Sequence, residues 1–167
     1  GGGWHTDHSY DEIPAMGSIL VARVLPESGG DTFFASMYRA YETLDDETKA
    51  EIEGQRALHS AKQIFGSQGQ TYYNNTDAGG ERIGNAAAAD VLDDVVHPMV
   101  ITHPLSGKKA LYVNPAFTVG IAGRTQEAAM PLLAKLYAHA MNMENAYRFS
   151  WKPGSVAFWD NRSTWHW

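Results

Sequence analysis

His5 and Asp7, near the start of the chain, have the residue types and the spacing of a metal-binding pair. On an extended strand successive side chains alternate between faces, so residues two apart project the same way and could reach one cation. Such a pair needs a third ligand from elsewhere in the chain. Two imidazoles and one carboxylate that leave other positions open are diagnostic of non-haem Fe(II) oxygenases. The pair therefore favours a site that admits substrate and O2 to one metal ion.

The spacing alone carries little weight. With seven His and 19 Asp plus Glu in 167 residues, a His-x-Asp or His-x-Glu triplet is expected by chance about 0.8 times. The surroundings strengthen the hypothesis, because Trp4 precedes the pair and a distal histidine, His166, follows a Trp-rich extended segment. Other histidines are interpreted as structural, since His97 and His103 each precede a proline and His139 lies in a helical pattern.

The composition is that of one ordinary globular domain over residues 1–167, with 44% hydrophobic and 19% charged residues. The net charge of −6 has no compensating basic stripe, so we expect no nucleic-acid partner, and no apolar run is long enough for a membrane span. The absence of cysteine excludes disulfides and thiol nucleophiles and is compatible with the predicted cytoplasmic location. The chain begins without Met and stops in a Trp-rich run, so we expect a fragment.

Hydrophobic patterning in the first third predicts a buried strand over residues 16–25, a turn, and extended structure from Thr32. Two short helices follow, over 36–44 and 45–54, the second marked by acidic residues at its start and Gly54 at its end. Two helices thus interrupt a set of strands.

The remainder predicts paired strands over 95–103 and 110–114, an amphipathic helix over 126–143, and a hairpin of 147–151 with 155–159 that leads to the last histidine. The polar, glycine-rich segment 66–84 predicts a long mobile loop. The pattern as a whole favours a β-sandwich or jelly roll with helices on one side.

Several short motifs follow one another along nearly the whole chain: Trp4-His5-Thr6-Asp7, Leu25-Pro26, Ser28-Gly29-Gly30-Asp31-Thr32, His97-Pro98, Thr102-His103-Pro104, Ser106-Gly107-Lys108, Leu111-Tyr112-Val113-Asn114, Phe117-Thr118 and Trp159-Asp160-Asn161-Arg162. In these motifs and their order the chain resembles the Fe(II)/2-oxoglutarate-dependent dioxygenases of the taurine dioxygenase type. The resemblance implies a mostly β fold with helices, the double-stranded β-helix or jelly roll, incomplete here at both ends. It also implies that His5, Asp7 and His166 are the catalytic iron ligands.

The resemblance further implies 2-oxoglutarate as cosubstrate and O2 as oxidant. The implied reaction hydroxylates a small anionic organic molecule, of the taurine, sulfonate, alkyl sulfate or aryloxyalkanoate class, and releases succinate and CO2. A carboxylate at Asp7 favours hydroxylation over halogenation, because halogenating relatives carry a small residue there. The family's arginines for the cosubstrate and the substrate anion would lie beyond Trp167.

Three further residues take roles from the resemblance. Thr32 would donate its hydroxyl to the distal carboxylate of 2-oxoglutarate, the alternative being a turn-capping threonine. Phe65 and Phe117 would line the substrate pocket, or pack in the core. Phe65 stands at the start of a segment, residues 66–96, that we interpret as a lid.

Asp160-Asn161-Arg162 is interpreted as a polar network that orients the strand and the ligand, the alternative being a simple turn.

Two other function classes stay open. A non-catalytic jelly-roll module could keep the fold and bind a metal or ligand, and a zinc hydrolase could use the same ligands but lacks a clear general base. Self-association into a homo-oligomer is common among relatives and is a further prediction.

Overall fold

The computed structural model describes residues 3–69 and 86–167. Within these ranges the strands are β1 Gly17–Val21, β2 Thr32–Ser36, β3 Arg56–His59, β4 Val95–Pro98, β5 Val100–Thr102, β6 Lys109–Leu111, β7 Thr118–Ile121, β8 Ala146–Phe149, β9 Val156–Asp160 and β10 Thr164–His166. The helices are α1 Met37–Glu42, α2 Asp46–Ile52, α3 Lys62–Phe65, α4 Ala86–Asp90 and α5 Gln126–Ala140, with 3-10 turns at Ser67–Gly69 and Met143–Asn145. The strands form antiparallel sheets in the orders β1-β9, β10-β2-β8, β4-β3-β7 and β5-β6.

Consecutive strands β8 and β9 belong to different sheets, because β8 pairs with β2 and β9 pairs with β1. The predicted hairpin of 147–151 with 155–159 is therefore wrong, although both strands exist. The turn between them, with Gly154 at φ 83°, carries the chain from one sheet to the other. Strands that change sheet in this way are typical of jelly rolls. Local patterning indicates where strands and turns lie, but it does not show with which distant strand each strand pairs.

The strand predicted over 16–25 spans only Gly17–Val21. Its register places Ile19 opposite Phe158, and these side chains are 67% and 64% exposed. The prediction of a buried strand is therefore wrong, because this face of the β1-β9 ribbon is solvent-exposed in the described structure. The neighbouring pair in the register, Ser18 opposite Trp159, lies on the other face.

The strand predicted over 95–103 is divided into β4 and β5 around Met99, which is fully buried. β5 pairs with β6 as expected. β4 pairs instead with β3, which the patterning did not predict. β3 has only four residues, which is too short to give a reliable period in the sequence, so its long-range pairing defines it.

Helices α1, α2 and α5 begin at side-chain caps that the sequence contains. Ser36, Asp45 and Thr125 each accept a hydrogen bond from a backbone N–H in the first turn of α1, α2 and α5. Helix α5 ends three residues before the predicted position, at Ala140, and buries the predicted face of Ala129, Leu132, Leu133, Leu136 and Ala140. These helices contribute buried side chains to the core.

Trp165 connects β10 to this core. It is 1% exposed and packs among the buried residues of α1 and α5, with its ring 6.3 Å from that of Tyr137. Because side chains alternate along a strand, the burial of Trp165 turns its neighbours Thr164 and His166 to the opposite face. The core thus determines which way the end of β10 presents its histidine.

The segment predicted as a lid, residues 66–96, is described only in part, since residues 70–85 lie outside the described residues. Of the remainder, Ser67–Gly69 is a 3-10 turn, α4 occupies Ala86–Asp90, and β4 begins at Val95. The prediction of a long loop over 66–84 therefore falls mostly on residues outside the description. That the segment closes as a lid stays a prediction.

His59 on β3 gives the fold a pH dependence. The side chain is fully buried, and its Nε2 has no hydrogen-bond partner in the described structure. Burial, aided by repulsion from His97, lowers the pKa of His59 from 6.5 to about 3. The unfolded chain therefore binds a proton that the folded chain does not, and stability is complete above pH 6.5 and declines as the pH falls towards 3.

We expect His59→Leu to remove up to about 1.4 kcal/mol per pH unit from the slope of unfolding free energy between pH 6 and pH 4. Urea unfolding of both chains at a series of pH values measures the slope. Parallel profiles for the two chains would show that His59 is not the titrating group.

Candidate metal centre

His5 and His166 lie side by side because their backbones pair. An isolated antiparallel bridge joins them, with His5 N donating to His166 O at 3.1 Å and His166 N donating to His5 O at 2.8 Å. Residues opposite each other in an antiparallel pair place their side chains on the same face. The two rings accordingly lie with centroids 4.2 Å apart. Residues 161 positions apart in sequence are thereby brought side by side, and their role as iron ligands, which the resemblance implies, stays a prediction.

Asp7 completes the cluster. Its Oδ1 lies 3.5 Å from Nε2 of His5 and 3.5 Å from Nε2 of His166. The intervening Thr6 points away, is buried, and donates to the backbone oxygen of Asn161 at 2.5 Å. The alternation assumed from the sequence therefore holds, although only His5 makes a strand-like bridge and a turn begins at Asp7. One ligand atom from each of the three residues lies within 4.8 Å of the others, an arrangement that could hold a metal ion.

The ring of His5 is oriented for metal binding. Its Nδ1 lies 2.9 Å from the backbone oxygen of Gly3, which can only accept, so Nδ1 carries the proton. The neutral ring therefore presents an unprotonated Nε2 towards Asp7. A hydrogen bond from the far nitrogen of a histidine to a carbonyl is the usual support of a metal ligand.

The charges of the cluster also suit a cation. Burial alone would raise the pKa of Asp7, but interactions with the His5 ring when that ring is protonated, with the Ser18 hydroxyl and with the nearby His166 ring lower it to about 2. Burial, with repulsion from His5, lowers the pKa of His166 to about 4 against the opposing effect of Asp7. At neutral pH the site holds an ionised carboxylate and a neutral His166 ring, the protonation states that metal ligands require.

Thr32 lies on the same sheet face as His166. β2 pairs with β10, Phe34 stands opposite His166, and Thr32 is two residues along β2 on the same side. Its Oγ1 accepts a hydrogen bond from Nε1 of Trp151 at 3.0 Å. Because an indole can only donate, the proton of the Thr32 hydroxyl is left for another acceptor.

An open cleft of about 490 Å³ lies against this face and is lined in part by Phe34, Phe149 and Trp159. The ring centroids of Phe34 and Trp159 are 6.3 and 4.7 Å from that of His166. The cleft therefore adjoins the histidine of the cluster. Patterning did not single out Phe34, and only its place opposite His166 shows that it borders the site.

Phe117 lies next to the cluster, and Phe65 packs against Phe117. The Phe117 ring lies edge-on to His5 at 6.2 Å, and Phe65 stacks on Phe117 at 6.0 Å. Tyr10 contacts both, with centroids 4.7 and 5.5 Å away, and burial raises its pKa to about 12. Tyr10 was not predicted, since an aromatic residue within a turn carries no signal of its own. Phe117 is 4% exposed and thus also part of the buried interior.

The Asp160-Asn161-Arg162 segment divides into two networks. Asp160 accepts from Arg162 and also from Nε2 of His103 at 2.9 Å, which gives His103 the structural role expected for it. Asn161 is 1% exposed and bonds instead to Ser18 and to Trp159. Ser18, which also contacts Asp7, was missed by the sequence analysis. The one available signal was a hydroxyl within an otherwise aliphatic strand.

An antiparallel jelly roll with two histidines and one carboxylate on an inner face is the arrangement of non-haem iron oxygenases. The sequence profile of the taurine catabolism dioxygenase TauD, TfdA family matches residues 1–167. The chain belongs to that family. The family resemblance and the jelly-roll class predicted from the sequence are thereby confirmed.

Individual relatives agree with this assignment. The chain is 37% identical to the alpha-ketoglutarate-dependent 2,4-dichlorophenoxyacetate dioxygenase of a Burkholderia strain over 98% of its own length and 51% of the relative. It is 32% identical to the alpha-ketoglutarate-dependent sulfate ester dioxygenase of Pseudomonas putida, over 98% of the chain and 52% of the relative. The chain spans about half the length of these curated relatives.

Solved structures give the same result. A crystal structure of AAD-2 in complex with Mn(II) and N-oxalylglycine is 36% identical with a TM-score of 0.81, covering 99% of this chain and 60% of that one. A taurine dioxygenase from Burkholderia xenovorans is 34% identical with a TM-score of 0.79, covering 98% of this chain and 50% of that one.

Among the residues the structure describes, no helix is both long and apolar enough to span a bilayer.

Proposed function

We propose that the protein is an Fe(II)- and 2-oxoglutarate-dependent dioxygenase that hydroxylates a small anionic organic substrate, with His5, Asp7 and His166 as the iron ligands. The observation that carries the proposal is the convergence of two imidazole Nε2 atoms on one carboxylate oxygen, each at 3.5 Å. A two-histidine, one-carboxylate set leaves several coordination positions open, which suits an ion that must also bind cosubstrate and O2.

The residues present fit such an ion. The carboxylate is ionised and His166 is neutral at physiological pH, and the Gly3 carbonyl fixes the tautomer of His5. Bound Fe(II) and 2-oxoglutarate supply the oxidising chemistry, in which O2 and 2-oxoglutarate become succinate, CO2 and the oxygen of a hydroxylated substrate. The chain itself holds these groups, orients the substrate and excludes water.

Thr32 is proposed to bind the distal carboxylate of 2-oxoglutarate. Its hydroxyl proton is free to donate because Trp151 already occupies the oxygen as a donor. The cleft is lined by Phe34 and Trp159, whose rings lie near His166, and by Phe149, which stands opposite Thr32 in the register. We place the cosubstrate chain there. A charge-assisted hydrogen bond from a hydroxyl to a carboxylate is stronger than a neutral one.

Phe117 and Phe65 are proposed to form the aromatic wall of the substrate pocket. Phe117 touches the edge of His5, and Phe65 and Tyr10 back it. An apolar wall next to the ligands would place a C–H bond near the metal and keep water away. The relatives named above act on a 2,4-dichlorophenoxyacetate and on sulfate esters, so we propose an anionic substrate from the sulfonate, alkyl sulfate or aryloxyalkanoate classes.

The test of this function is anaerobic addition of Fe(II) and 2-oxoglutarate to the complete protein, followed by O2 and a panel of sulfonates, sulfate esters and aryloxyacetates. We expect a weak visible charge-transfer band from the chelate, and succinate release that one substrate class increases. A non-catalytic module or a zinc hydrolase would give neither the band nor succinate, and that result would refute the proposal.

A single domain over residues 1–167, with a lid at 66–96 that begins next to Phe65, belongs to the same proposal. The cytoplasmic location and self-association inferred from the sequence stay predictions.

A further inference from the structure

Ser18 binds the second oxygen of the Asp7 carboxylate. Its Oγ donates to Oδ2 of Asp7 at 2.6 Å, whereas Oδ1 is the atom that faces both histidines. The two oxygens of one carboxylate therefore have separate partners. A hydrogen bond from a hydroxyl to an ionised carboxylate is short and strong.

A chain of hydrogen bonds fixes the direction of the Ser18 hydroxyl. Nε1 of Trp159, which can only donate, lies 2.9 Å from Oδ1 of Asn161. This contact determines which end of the Asn161 amide is oxygen, so its Nδ2 faces Ser18 and donates to Oγ at 3.0 Å. The oxygen of Ser18 is thus occupied as an acceptor, and its proton is directed to Asp7.

The chain of bonds is rigid as well as directed. Asn161 is 1% exposed, and its backbone oxygen accepts from Thr6, the residue just before Asp7. Ser18 and Trp159 are opposite each other in the β1-β9 register. The buried amide of Asn161 therefore joins two paired strands to the segment that carries Asp7. The sheet in this way fixes the position of Oδ2 of Asp7.

We infer that Ser18, held by Asn161 and Trp159, is a positioning residue that keeps Asp7 a monodentate metal ligand through Oδ1. The inference rests on the proposed function, since it requires the metal ion. With Oδ2 occupied by Ser18, the carboxylate does not present both oxygens to the ion. One coordination position, which a bidentate carboxylate would take, stays open for cosubstrate or O2.

The experiment compares the wild-type chain with Ser18→Ala, Ser18→Thr and Ser9→Ala. Ser9 is a matched control, because it is fully buried and accepts from the Asn114 amide at 2.9 Å without touching Asp7. Each chain is titrated with Mn(II) without 2-oxoglutarate, and both the Kd and the water proton relaxivity of the loaded form are measured.

For Ser18→Ala we expect Mn(II) affinity to fall by about 10-fold or more, the usual effect of removing an outer partner of a metal ligand. We also expect relaxivity to fall by roughly a third, because the freed Oδ2 displaces one of about three metal-bound waters. Ser18→Thr, which keeps the hydroxyl, should restore both values, and Ser9→Ala should change neither. A purely structural serine would not change the number of bound waters.

Unchanged affinity and relaxivity in Ser18→Ala would overturn the inference while leaving the metal site intact. Affinity loss with unchanged relaxivity would overturn the claim that Ser18 keeps Oδ2 off the ion. Absence of Mn(II) binding by the wild-type chain would instead refute the proposed function.

Should Ser18→Ala fail to fold by circular dichroism, Trp159→Phe takes its place, because it removes the donor that orients Asn161. We expect Trp159→Phe to lower both Mn(II) affinity and relaxivity. Unchanged values of both in Trp159→Phe would contradict the inference.

Discussion

Replacing Asp7 by alanine is expected to weaken metal binding by the chain by more than about 100-fold. Asp7 provides the only carboxylate of the cluster, and its Oδ1 is the atom nearest to both histidines, at 3.5 Å from each Nε2. Removal of an outer partner of a ligand typically weakens metal affinity by about 10–100-fold, so loss of the ligand itself should exceed about 100-fold. Titration with Mn(II) or Co(II), followed by calorimetry, measures the effect.

The matched control is Asp11→Ala. Asp11 is an acid in the same segment, but its side chain is half-exposed and bonds to His8 rather than to the cluster. Its removal should leave metal affinity unchanged within about twofold, as expected for a surface ion pair. Tight metal binding by Asp7→Ala, or equal losses in the two variants, would show that the ion is held elsewhere. In the complete protein, succinate formation should disappear with Asp7→Ala and persist with Asp11→Ala.

Trp165→Ala is expected to destabilise the fold by about 3–5 kcal/mol, the usual range for truncation of a buried aromatic residue. Trp165 is 1% exposed and lies in the core beside Tyr137. The substitution leaves a large cavity beneath β10, the strand that carries His166. Metal affinity should therefore also fall, because the backbone bridge between His166 and His5 loses its support.

Phe158→Ala is the matched control for Trp165→Ala, since Phe158 is an aromatic residue on β9 that is 64% exposed. We expect a change within about 1 kcal/mol, as for most surface positions. Urea unfolding with a common slope gives both values. A loss for Trp165→Ala no larger than that for Phe158→Ala would contradict the view that the core sets the orientation of β10.

Sequence alone was sufficient to propose the three ligands, because residue type and spacing made His5 and Asp7 a candidate pair and the family resemblance implied the full set with His166. His5 and Asp7 stand two apart, and His166 ends a run of motifs that resembles one family. The starts of α1, α2 and α5 were predicted to within one residue, since caps such as Ser36 and Asp45 act within one turn. Their ends were placed two or three residues too late, and α3 and α4 were not predicted. These features depend on local or on chemically distinctive residues.

What sequence could not provide was pairing between distant segments. The partners of β8 and β9 lie more than a hundred residues away, so the local pattern indicated a false hairpin. The exposure of β1 depends on what covers it, which its aliphatic sequence does not reveal. Ser18 gained a role only when the fold placed it within 2.6 Å of Asp7, and no spacing rule joins those residues.

The central claim is that His5, Asp7 and His166 meet at one metal ion. The most direct measurement is the anomalous difference map of a crystal of the Mn(II)-loaded protein. We predict one strong peak about 2 Å from Nε2 of His5, Oδ1 of Asp7 and Nε2 of His166, the distance usual for nitrogen and oxygen ligands. A peak that any of the three residues does not reach, or a site formed by other side chains, would contradict the claim.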